Sequence, residues 1–158
     1  MTDEQKKSYT ARITQANPTA LCVILYEIAA DYIQEARDFH RNEDAAGFRL
    51  ALCHAQNAML ELLNSVRDGQ PISSLLRSLY GFCMGQLAKA EAGGKVEPLD
   101  VVETTIGSLR DAYASISNMD MRGPVMGNSQ VVYAGLTYGK RALCENLADQ
   151  GGKRGFLV

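Results

Sequence analysis

Two histidines, four cysteines and a stripe of acids are the side chains of this 158-residue sequence with types suited to chemistry. His40 and His54 fall on different predicted helices, a surface and an edge position, out of ligand spacing. Cys53 and His54 are neighbours in the chain, and neighbouring helical residues do not face each other, so no Cys–His dyad forms within the pair. Cys22, Cys53, Cys83 and Cys144 lie far apart, each inside an apolar helical pattern and none in CxxC spacing. That usage fits reduced, buried thiols instead of a disulfide framework or a zinc site. Glu27, Asp31, Glu35 and Asp38 recur along one predicted helix and read as its solvated outer face. The stretch GLTYGK from Gly135 to Lys140 resembles a phosphate loop, but it is one residue short between its glycines. It also has Arg141 where Ser or Thr belongs, and it sits inside a helical pattern instead of after a strand. No HExxH, nucleophile elbow or EF-hand spacing occurs. The expectation is no enzyme, no cofactor and no metal.

Composition narrows the class further. A hydrophobic fraction of 46% argues against wholesale disorder, and the length suits one domain. The net charge of −2 makes no case for nucleic acid or an anionic membrane. The charge is unevenly spread: residues 118–158 hold five Lys/Arg against three Asp/Glu, and the remainder hold eleven against fifteen. The opening MTDEQKKSY has no apolar core of a signal peptide, and no apolar run approaches the ~18 residues needed to span a bilayer. A cytoplasmic location is expected.

The elements follow from periodicity. Asn17 and Pro18 form a hinge, with Asn as N-cap and Pro at the first helical position. Residues 1–8 before it are polar and expected to be mobile, and Tyr9 and Ile13 need an external seat, most simply a groove between the helices that follow. Apolar spacing predicts helices from about Thr19 to His40, Ala45 to Val66 and Ser73 to Ala92, and another opened by Pro98. The first stripe reads Leu21, Ile24/Leu25, Ile28, Tyr32, Ala36, Phe39. Gly69 is placed as the cap of the second long helix, and Gly93-Gly94 ends the third. Short links between amphipathic helices favour an all-α, antiparallel up-down four-helix bundle. The reading divides the chain into a bundle domain, 1–117, and an extension, 118–158, made of a linker and a helix from about Gln130 to Ala148. Gly135 and Gly139 weaken that helix by roughly 1 kcal/mol each, so it needs a surface to pack on.

The order Tyr9, Ile13-Thr14, Ala16, Pro18, Leu21, Leu25-Tyr26 resembles the N-terminal signature of the flagellin export chaperones, the FliS family. Ala55-Gln56, Leu62, Gly69, Ile72, Leu76, Leu79-Tyr80, Leu87 and Ala90 fall where that family carries similar residues, as do Val102, Leu109, Arg110 and Ala112. Gln15 stands where a second threonine is common, and Tyr113 where tryptophan is expected. The resemblance implies a cytoplasmic chaperone that holds the C-terminal segment of flagellin along the bundle, blocks premature polymerisation and needs no ATP. The residues it assigns to the partner are Tyr9, Ile13, Ala16, Pro18, Leu21 and Leu25, with Leu76 and Tyr80. Tyr9 and Ile13 also suit a removable lid, although each tyrosine taken alone reads more simply as core or core edge. Other flagellar export or regulatory proteins and a second copy of the chain are further partners compatible with such a surface. The extension, amphipathic and terminal like a client segment, either docks on the bundle and competes with flagellin or merely enlarges the core. The reading from another class is a helical adaptor or self-assembling module without chaperoning.

Overall fold

Asn17 is extended, at φ −69° and ψ 167°, as a residue preceding proline is expected to be, and its side-chain oxygen accepts from the Ala20 amide at 2.7 Å. Pro18 follows at the first helical position. The structure, a computed structural model, describes residues 1–126. They form α1 (Asp3–Gln15), α2 (Pro18–Arg41), α3 (Ala45–Ser65), α4 (Ser73–Gly93) and α5 (Glu97–Ser117), with no strand among the described residues. Helices α2 to α5 pack in a ring, each against the next and α5 back against α2. The expected antiparallel four-helix bundle is therefore observed, with one helix added. The added helix is α1 at the N-terminal side; the helix expected from Gln130 to Ala148 lies outside the described residues.

The bundle interior explains the register of each helix. Tyr26, Ala29, Ile33 and Ala36 of α2 are fully buried, and so are Leu52, Ala55, Met59 and Leu62 of α3. Leu87 from α4 and Leu99 and Val102 from α5 complete the same core. The buried stripe of α2 is rotated from the expected one. Being packed between α3 and α5, α2 buries a broader arc centred on Tyr26, Ala29 and Ile33, which leaves Leu21, Leu25 and Ile28 half-buried on its shoulder.

Two links need special backbone. At the α2–α3 turn Glu43 has φ +58°, and Asp44 caps α3 by accepting from the Gly47 amide at 2.8 Å. A Cβ at Gly47 would lie 2.4 Å from the Phe39 ring, so only glycine lets α2 and α3 close there. Gly94 ends α4 in the left-handed conformation at φ +59°. Helix α3, by contrast, stops at Ser65 with Val66 extended, and Gly69 (φ +84°) turns the link beyond it instead of capping the helix. Arg77 braces that link by donating to the Val66 carbonyl at 3.0 Å and to Asp68 Oδ1 at 2.8 Å.

The N-terminal stretch departs most from expectation. Thr2 and Gln5 form a capping box, the Gln5 amide donating to Thr2 Oγ1 at 3.2 Å and the Thr2 amide to Gln5 Oε1 at 2.8 Å. The residues expected to be mobile are thus helical from Asp3 onward. Helix α1 lies antiparallel along α2. The Tyr9 hydroxyl donates to Asp31 Oδ2 at 2.8 Å, and Arg12 Nη1 donates to Glu27 Oε2 at 2.5 Å. The Met1 amine pairs with Glu35. Three acids of the stripe expected to face solvent are therefore the seat of α1.

Candidate functional site

A cleft of about 580 Å³ opens where the first turns of α2 meet the α3–α4 link. Its walls carry Leu21 and Leu25 from the α2 shoulder, Val66 and Ile72 from the link, and Leu76 from α4. Pro18, Cys22 and Tyr113 add further contact surface. Arg67 and Arg122 are its charged members, and no carboxylate is among the lining residues. Sulfur reactivity is muted there, because burial raises the Cys22 thiol pKa more than its Ser65 hydrogen bond and Arg122 lower it. The arrangement offers apolar contact with polar and cationic groups at its margin, which is the chemistry of binding an apolar chain segment.

Behind the cleft stands a tyrosine relay. The Tyr113 ring meets the Tyr26 ring edge-on at 5.6 Å, and the Tyr26 and Tyr80 hydroxyls hydrogen-bond to each other. Burial is the main cause that raises the pKa of all three hydroxyls. Tyr80 is only 1% exposed, so it supports the cleft from within the core.

The far rim is made by the segment after α5. Asn17 Nδ2 donates to the carbonyls of Ser117 and Asp120 at 3.0 and 3.1 Å. Asp120 Oδ2 accepts from the Thr19 amide at 3.2 Å and from its hydroxyl at 2.7 Å. Arg122 donates to both carboxylate oxygens of Asp120, each at 2.7 Å. Those bonds, from Arg122 first and then Thr19, hold the Asp120 carboxyl well below the usual carboxylate range. The Val125 amide then donates to the Ala16 carbonyl at 3.0 Å, and Val125 and Arg122 both line the cleft. Residues 118–126, read from sequence as flexible linker, are thus pinned across the start of α2.

The partner residues expected from sequence divide into groups. Pro18, Leu21, Leu25 and Leu76 come together in this cleft. Ala16 is buried at the hinge and lines a second recess of about 350 Å³ with Arg12, Ala20, Val23 and Ser117. Tyr9 and Ile13 are half-buried on α1, Tyr9 held by Asp31. Tyr80 lies inside the core. Val66 reads in the sequence as part of the inward stripe of the second long helix, and Arg122 and Val125 carry no local mark of a binding role. Ile72 carried a signal, being the apolar residue directly before the Ser73 helix start.

His54 stacks on Tyr32 with ring centres 4.8 Å apart, and His40 Nε2 lies 3.2 Å from the Gly94 carbonyl. Cys53 is exposed, against the expectation of burial, while Cys83 is buried and its thiol is pushed up to about 11. Among the described residues no three His, Cys, Asp or Glu side chains are grouped to hold a metal. None of the described helices is long and apolar enough to cross a membrane.

The sequence profile of one family, flagellar protein FliS, matches residues 1–120. The chain belongs to the FliS family. That family consists of flagellar export chaperones, and the match covers all five helices, with Arg122 and Val125 of the cleft lying beyond it. The FliS match ends at Asp120, inside the segment that rims the cleft. No curated protein matches the chain.

Proposed function

We propose that this protein is a cytoplasmic chaperone that binds the C-terminal segment of flagellin, preventing premature polymerisation and keeping the subunit competent for export. The observation that carries the reading is the apolar cleft, left open by the bundle's own side chains at Leu21, Leu25 and Leu76. A disordered client segment orders on binding and places its apolar anchors in such a cleft. Residues 1–117 supply the binding domain in this reading, and 118–158 the extension. Tyr9 and Ile13 act from α1, Ala16 and Pro18 from the hinge, and Tyr80 as the buried support of the cleft wall. Calorimetric titration with a synthetic flagellin C-terminal peptide tests it. Leu25→Ala is expected to weaken binding by ~1–2 kcal/mol, about a factor of ten, with helicity retained. Ile13→Ala is expected to weaken it as well. Unchanged affinity in both variants removes this surface from the reading.

One observation favours the adaptor alternative. Helix α4 and its leading residue present Ile72, Leu75 and Phe82 outward at 55%, 57% and 45% exposure, a stripe suited to another helix. Sedimentation of the protein at rising concentration separates the two: self-association abolished by Leu75→Glu with peptide binding intact assigns that stripe to assembly.

A further inference from the structure

The segment 118–126 has the geometry of a strap. It leaves α5, crosses the start of α2, and places Arg122 and Val125 against the cleft. Its attachment is polar and concentrated at one end: the Asp120 carboxylate accepts from the Thr19 amide and hydroxyl, Asn17 donates to the Asp120 carbonyl and to that of Ser117 at the end of α5, and Arg122 also donates to the Asp120 carboxylate. Beyond that end, among the described residues, the strap's hydrogen bond to the bundle is the backbone bond from Val125 to Ala16. The apolar side chains it carries are poorly buried, with Met121 at 94% exposure and Val125 at 52%. A strap held by one polar latch and little apolar burial opens without unfolding the bundle. The latch residues Asn17 and Thr19 flank Pro18, which itself lines the cleft, so a chain entering the cleft meets the strap at its anchor.

We propose that residues 118–126 are an autoinhibitory strap: closed at the Asp120–Thr19 latch, they occupy one end of the cleft and compete with the client peptide. The inference rests on the client reading above and adds its regulation. An occupant that binds only the open form sees its affinity reduced by the fraction of molecules that are open. Loosening the latch therefore tightens client binding without adding a contact.

The test uses the full chain. Asp120→Ala removes the carboxylate, and Thr19→Val removes one of its donors while leaving the backbone amide. Calorimetry with the flagellin C-terminal peptide is expected to show binding about threefold or more tighter in Asp120→Ala, and a smaller gain in Thr19→Val. Equal or weaker binding in Asp120→Ala, with its bundle intact by circular dichroism, overturns the strap. If neither wild type nor variant binds the peptide, the client reading fails, and the strap is then judged by maleimide labelling of Cys22 inside the cleft. Exposed Cys53 is the internal standard. Labelling of Cys22 about threefold or more faster in Asp120→Ala supports a cover that opens, and equal rates overturn it.

Discussion

The paired hydroxyls of Tyr26 and Tyr80 are the residue-scale feature that the rest of the cleft leans on. Both rings are almost fully buried; the Tyr26 hydroxyl bonds to that of Tyr80, and Tyr80 also interacts with the Tyr113 hydroxyl. Removing one hydroxyl leaves its partner buried without that bond, whereas removing both removes the shared bond from both sides at once. Tyr26→Phe or Tyr80→Phe alone is expected to cost ~1–3 kcal/mol, and the double variant less than the sum of the two. Urea titration of the four proteins measures the coupling. Additive losses would show that the hydroxyls do not act as a pair. Sequence showed each tyrosine as an amphipathic side chain suited to an edge; it could not show that the two hydroxyls meet, because they are 54 residues apart.

At the scale of elements, α1 stands apart from the other helices. It packs on α2 and is held there by Tyr9 to Asp31, Arg12 to Glu27 and the Met1 amine to Glu35. Such partly exposed ion pairs and hydrogen bonds contribute about 0.2–1 kcal/mol each and weaken in salt. Amides of α1 are therefore expected to exchange with solvent well before those of α3, and faster still in ~1 M sodium chloride. Hydrogen-exchange mass spectrometry reads both. Protection equal to that of α3 would place α1 within the cooperative bundle and end its candidacy as a lid. The acids of α2 were visible in the sequence, as were the apolar groups of the tail. Their match was not visible, because a stripe of acids looks the same whether water or another helix covers it.

The whole molecule carries a pH window set by its buried acids. Cys83 ordinarily titrates near 9.0 and is pushed up to about 11 by burial, and the Tyr26 and Tyr80 hydroxyls are also raised, again chiefly by burial. A group whose folded pKa is raised stabilises fully below its unfolded pKa, and the contribution is lost as pH rises through the folded value. The melting temperature is thus expected to hold steady to about pH 9 and then to fall between about pH 9 and 11. Thermal unfolding followed by circular dichroism across that range checks it, with tyrosine absorbance showing whether the paired hydroxyls titrate only on unfolding. On the acid side the sign reverses. Asp120 has a lowered pKa, so its contribution is present above the ordinary carboxylate range and lost as pH falls beneath it.

What the sequence determined by itself is the four long helices α2 to α5 and their assembly class, but not α1. Periodicity, the Asn17-Pro18 start and the Gly94 stop are local signals, written within a few residues of the feature they specify. The tertiary structure alone decided which shoulder of α2 faces open space, and that a segment read as linker grips α2 through Asp120. Those facts join residues about a hundred positions apart, Thr19 and Asp120 being separated by 101. No local pattern records such a meeting, because it depends on where four helices bring the two ends of the bundle domain together.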